Sequence, residues 1–227
     1  MLIQLDFFAV LSEWPLLVKG IAWTIGLTTI AATLGVVLGI VCAWTRVYGA
    51  PFFKVVVGSY VELIRNTPFI VQLFFIFFGL PAAGVRLSPE VASIIAMVMN
   101  LGAYAAEIVR AGIEATPRGQ IMAAQSLGMR PLRVFVSIVL PPALQTVWPA
   151  MVSQIIIVML GSAVCGQIST EELSYAANLI QSRSFRAFES FIIAALVYLG
   201  LAMALRKALS SVGLRLIFGR SKEAQRD

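Results

Sequence analysis

The chain has 227 residues, of which 59% are hydrophobic and only 12% charged, with a mean hydropathy of +0.91; soluble domains carry about a quarter of their residues charged, so this is a multi-span membrane protein. It has no histidine, and its two cysteines, Cys42 and Cys165, lie far apart inside apolar runs, which argues against a metal or redox enzyme and against a disulfide framework; both read as small packed residues. The net charge of +6 is spread over short segments between apolar runs rather than along one soluble face, so a membrane, not nucleic acid, accounts for it.

The N-terminal stretch MLIQLDFFAVLSEWPLLVKG carries Asp6 and Glu13 and no basic residue before Lys19. It lacks the basic region of a cleavable signal, and the first span is expected to stay in the protein. A bilayer core of about 30 Å takes about 20 apolar residues per helix. Five runs qualify, at 16–43, 55–80, 90–113, 142–165 and 190–209. The whole chain, 1–227, reads as a single all-α transmembrane domain with its termini on opposite sides.

The basic residues near span ends divide unequally. One side holds Arg46, Lys54, Arg110, Arg118, Arg130, Arg133, Arg206, Lys207, Arg215, Arg220, Lys222 and Arg226, and the other Lys19, Arg86, Arg183 and Arg186. The positive-inside rule places the richer side, with the 114–141 loop and the C-terminus, in the cytoplasm and the N-terminus outside.

Polar residues at membrane depth are costly and mark pairing or function. In the second span Glu62 and Arg65, three apart on one helix face, are read as a structural ion pair, and Asn66-Thr67-Pro68 as a break that loosens the helix. Glu107 and Arg110 form a similar intrahelical pair in the third span. Gln72, Asn100, Tyr104, Ser153 and Gln154 are uncharged hydrogen-bonding groups deeper in the spans. They are candidates to line a pathway for a polar solute, the alternative for each being an ordinary interhelical hydrogen bond. After the fourth span, Glu171, Glu172, Tyr175 and Asn178 face outside, either as a seat for another protein or as a solvated face.

The 114–141 loop contains TPRGQIMAAQSLGMRPLR, from Thr116 to Arg133. Thr116 suits an N-cap, Pro117 the first helical position and Gly128 the left-handed position past a helix end. A helix of about three turns is predicted, from Pro117 to Leu127, with a basic turn after it and re-entry into the membrane at the Leu-Pro-Pro of 140–142. Its small side chains suit close approach by another protein better than burial in lipid.

The stretch MAAQSLGMRPLRVFVSIVLP resembles the EAA loop of permease subunits of binding-protein-dependent ABC importers. Ala123, Ala124, Gly128, Ile138, Leu140 and Pro141 occupy matching positions; Met122 stands where that pattern has an acid. The stretches YVELIRNTPFIVQLFFIFFGLP, NLGAYAAEIVRAGIEATPRGQ and FRAFESFIIAALVYLGLA are similar to the polar amino acid uptake branch, the histidine, glutamine, arginine and opine group. The resemblance implies a five-helix permease of the type I importer fold in a bacterial inner membrane. It would work with a second copy or a sister permease, an extracytoplasmic amino acid-binding protein and an ATPase dimer, ATP and Mg being held by the ATPase. It assigns ATPase coupling to Arg118, Gly119, Gln120, Met122, Ala123, Ala124, Gln125, Gly128 and Arg130. Ser153-Gln154 and Gly161-Ser162 replace acid-bearing pairs of many relatives, so no carboxylate for a cationic side chain is expected from this chain.

The absence of a G-x-x-x-x-G-K-[ST] motif agrees with a nucleotide site in a partner. An intramembrane hydrolase would need a nucleophile with a base, and Ser59 near Glu62 has no histidine to serve it. A passive channel or scaffold that docks a cytoplasmic protein is the alternative function.

Overall fold

The computed structural model describes residues 5–213. Arg215, Arg220, Lys222 and Arg226, counted above toward the basic side, lie outside the described residues. The described residues are helical without a strand. Asp6 opens a short helix, α1 (Phe7–Leu11), by accepting from the Ala9 N–H. Pro15 then starts α2 (Trp14–Tyr48), longer at both ends than the predicted 16–43.

The second predicted span is two helices. Pro51 starts α3 (Pro51–Arg65), the chain breaks at Asn66-Thr67-Pro68, and α4 (Phe69–Ala83) leaves at 111° to it. The break is the one predicted from Pro68, which lacks an N–H and disfavours helix in the residue before it. Ser88 caps α5 (Pro89–Glu114), accepting from the Val91 N–H.

After the connecting helix α6 (Arg118–Ser126), the fourth membrane helix begins at Pro131 rather than at Pro142, as α7 (Pro131–Ile168). Residues 131–141, predicted as loop, are therefore helix. The reason is a wide π turn over Phe135–Val139. It lies directly ahead of Pro141 and Pro142, whose missing N–H groups would break a regular α-helix, and it carries the helix past them. Glu172 then caps the short α8 (Leu173–Ser184), and α9 (Ala187–Val212) closes the bundle.

Helices α2 and α5 form the centre. On α2 the residues Ala31, Gly35, Gly39 and Ala43 recur every four positions and are all buried. Gly35 meets Leu101 of α5, and Gly39 meets Ala105 and Ala106. A Cβ on Gly39 would lie 2.4 Å from that of Ala105, and one on Gly102 would lie 2.6 Å from Leu38 Cδ2. Backbones approach this closely only where side chains are small, the packing rule of helices in lipid. Around this seam Leu27, Leu73, Met97 and Met151 are fully buried, while Leu34, Val37 and Val41 of α2 and Leu196, Leu199 and Met203 of α9 are exposed, as a bilayer requires.

Candidate functional site

Two polar clusters lie along α5 and a third lies at the start of α8. The first is the break itself, which side chains repair. In a continuous helix the Ile64 carbonyl would accept from residue 68, but Pro68 has no N–H to give. Gln72 supplies the donor instead: its Nε2 lies 2.7 Å from Ile64 O, 3.0 Å from Thr67 O and 2.9 Å from Thr67 Oγ1. The Thr67 hydroxyl donates to Leu63 O and the Asn66 amide to Glu62 O, so the carbonyls of Glu62, Leu63 and Ile64 in the last turn of α3 each gain a side-chain donor. Asn100 Nδ2 then donates to Gln72 Oε1 at 3.1 Å, tying α5 to the break. Two predicted pathway residues thus meet, and one of them holds the backbone.

Asn100 also lines a cavity of about 140 Å³ with Phe69, Ile157, Val158, Gly161 and Val164. Its wall is apolar apart from that amide. Tyr104 is one turn further along α5, its hydroxyl 3.5 Å from Arg65 O. Ser153 and Gln154 do not join this group: the Ser153 hydroxyl turns back to Pro149 O. They stand one turn before the lining residues Ile157 and Val158 on α7.

The second cluster corrects a sequence expectation. Glu62 and Arg65 do not form an ion pair. Glu107 is the anion instead, accepting from Arg46 Nη1 on one oxygen and from Arg110 Nη2 and Nε, at 2.8 and 3.2 Å, on the other. Arg110 also reaches Glu114 at 2.6 Å. The predicted Glu107–Arg110 pair is present, but as part of a network that joins α2 to α5. Arg65 Nη1 is 4.0 Å from Glu107, and its guanidinium lies 5.5 Å from the centre of the Tyr104 ring.

The third cluster is at the far end, around Glu172. This carboxylate is fully buried and accepts from the Ser174 and Tyr175 N–H groups at 2.9 and 2.8 Å and from the Ser174 and Tyr198 hydroxyls, both at 2.5 Å. Burial pushes the carboxyl above its ordinary range, although these hydrogen bonds pull the other way. Glu172 was expected on an outward face; it is instead the internal cap that fixes α8 to α9. Glu171 pairs with Lys19 of α2 at 2.5 Å. The cue in the sequence was the Glu-Leu-Ser-Tyr string, an acid two and three residues ahead of free N–H groups at a helix start.

The loop between α5 and α7 is shorter than predicted. Thr116 does not cap α6: its hydroxyl bonds back to Gly112 O at 3.3 Å and closes the end of α5, so Pro117 stands at the cap and Arg118 opens the helix. Gly128 is left-handed, with φ of 72°, and reverses the chain as predicted. Ala124 is buried and Ile121 packs on the core, while Arg118, Gly119, Gln120, Met122, Ala123, Gln125, Gly128 and Arg130 are exposed. Met122 and Leu127 expose 65% and 82% of their surface, which is unusual on a helix that leaves the apolar bundle. A hollow of about 390 Å³ separates α6 from the start of α7, with Gln120, Leu127 and Ser137 on its walls.

Comparison with known proteins supplies the family. Residues 35–215 match the binding-protein-dependent transport system inner membrane component family. The chain is 35% identical over 188 residues to the L-cystine transport system permease protein TcyB of Bacillus subtilis, covering 82% of this chain and 80% of the relative. It is 31% identical to the arginine transport system permease protein ArtQ of the same organism and 30% identical to the glutamine transport system permease protein GlnP of Escherichia coli, each over 89% of this chain and 93% of the relative. Among solved structures, an amino acid ABC transporter with histidines superimposes with a TM-score of 0.84 at 36% identity, covering 94% of this chain and all of that one. The MetNI methionine ABC transporter shares the fold, with a TM-score of 0.74 at 21% identity over 87% of this chain and 94% of that one. The chain belongs to the binding-protein-dependent transport system inner membrane components and is a multi-pass permease subunit of an ABC importer, the ATPase being a separate chain.

Proposed function

We propose that this permease carries a polar L-amino acid or a close derivative inward, driven by ATP hydrolysed in a partner ATPase dimer that holds the nucleotide and Mg. The observation that carries the reading is the polar seam on α4 and α5, where Asn100 opens on an otherwise apolar cavity beside a broken span and bonds to Gln72, with Tyr104 one turn further along. A zwitterion crossing the bilayer needs such partners, because unpaired charge in hydrocarbon is expensive. Ser153 and Gln154 extend the path along α7.

Helix α6 is the coupling element, and its exposed residues from Arg118 to Arg130 are the surface the ATPase grips. Its polar neighbours and small side chains support this, and Met122 makes part of the grip apolar. The basic loop faces the cytoplasm and the N-terminus lies outside. A second copy or a sister permease completes the pathway, and an extracytoplasmic binding protein delivers the solute. The permeases named above for cystine, arginine and glutamine support the substrate class.

The test is uptake by proteoliposomes holding the permease with its ATPase and binding protein. Accumulation of labelled L-arginine, L-glutamine or L-cystine against a gradient, dependent on internal ATP, is expected; accumulation of none of them would overturn the substrate class.

A further inference from the structure

Arg65 is only loosely held at the margin of the ion-pair network beside it, at 4.0 Å from Glu107. Both oxygens of Glu107 are already occupied, one by Arg46 and the other by Arg110, and Glu114 is taken by Arg110. Arg65 stands 4.0 Å from Glu107 and makes no side-chain hydrogen bond among the described residues; 42% of its side chain is exposed. A guanidinium has five N–H donors in a planar fork that fits a carboxylate through two parallel bonds. Here that plane is steadied by the Tyr104 ring, 5.5 Å away, so its orientation is set before any anion arrives.

Its position relates it to the cavity. Tyr104 is one helical turn, about 5.4 Å, along α5 from Asn100, and Asn100 opens on the 140 Å³ cavity. The wall of that cavity offers an amide but no cation, so a carboxylate inside it has no positive partner. Arg65, over the ring of Tyr104 one turn from Asn100, offers a guanidinium with no side-chain hydrogen bond among the described residues.

Resting on the transport reading above, we infer that Arg65 binds the α-carboxylate of the amino acid as it leaves the Asn100 cavity. It is a site on the permease itself, separate from selection by the binding protein. The Glu107 network next to it holds Arg46 and Arg110 by hydrogen bonds and leaves the Arg65 guanidinium without one among the described residues.

The experiment uses the assembled importer. Wild-type uptake of labelled L-arginine, L-glutamine or L-cystine comes first: if none is carried, the transport reading fails and this inference with it. With a carried amino acid in hand, Arg65→Gln is expected to lower maximal uptake about tenfold to a hundredfold, the size of one lost charge-assisted bond, and Arg65→Lys to recover part of it. The decisive readout is competition by the α-carboxamide of the same amino acid for binding to the purified complex without binding protein. Wild type should reject the amide about tenfold or more against the acid, and Arg65→Gln should lose that preference. Equal preference in the two proteins would overturn the inference, as would wild-type uptake in Arg65→Gln. A loss of complex assembly in Arg65→Gln that Arg65→Lys does not relieve would overturn it too, by making the residue structural.

Discussion

Replacing Gln72 by Leu tests whether one side chain splices the broken span. The substitution keeps a similar volume but removes the donor to Ile64 O, both bonds to Thr67 and the acceptor of Asn100. The Ile64 carbonyl then has no partner, because Pro68 offers no N–H, and Ile64 is buried. A buried polar group left unpaired costs about 1–3 kcal/mol, so the carbonyl together with the stranded Asn100 amide gives about 2–4 kcal/mol. Asn100→Ala provides the control: it removes only the interhelical bond, worth about 0.6 kcal/mol on average in membrane bundles. Unfolding of the purified permease in a detergent titration, followed by helicity and by protease accessibility at 66–68, measures both. Gln72→Leu should lose several times more stability than Asn100→Ala and should expose the break to protease. Equal losses would mean that Gln72 does not hold the two halves together.

Three further predictions concern packing, coupling and pH. Gly39→Leu places carbon 2.4 Å from the Ala105 Cβ on a rigid backbone seam; overpacking of this kind costs about 1–3 kcal/mol, and a lower yield of folded permease by size-exclusion chromatography is expected. Gly128→Val forces a β-branched residue into a left-handed turn with φ of 72°, at about 1–2 kcal/mol. Since nothing else touches that position, the spans should still fold while co-purification of the ATPase falls; retained ATPase binding would count against α6 as the coupling surface. Glu172 has a folded value raised by burial. Its contribution is therefore complete below the ordinary carboxylate value and is lost as pH rises through the raised one. Thermal stability should decline across that window more steeply in wild type than in Glu172→Gln, and parallel pH profiles would refute the assignment.

Much of the fold could be read from the sequence because bilayer thickness leaves few solutions for apolar runs this long. Pro68 announced the break and Gly128 the reversal, since each restricts the backbone by itself. Pro141 and Pro142 misled for the same reason. They suggest a helix start, and only the π turn at Phe135–Val139 lets the helix pass them. The spacing of Ala31, Gly35, Gly39 and Ala43 was visible, but its partner on α5 was not. Arg65 shows the limit most clearly: spacing of three permits a pair with Glu62, whereas the competing anion, Glu107, lies 42 positions away along the chain and is brought close only by the α3–α5 packing. Glu172 was placed outside by topology, and its burial depends on Tyr198 from another helix.

The activity proposed for this chain is ATP-driven amino acid import. Its most direct measurement is the time course of labelled amino acid uptake into proteoliposomes containing the permease, ATPase and binding protein, with ATP or a non-hydrolysable analogue inside. Accumulation above the external concentration is expected with ATP alone, and its loss in Gly128→Val. Equilibration at the same rate with either nucleotide would contradict it and make the chain a passive channel.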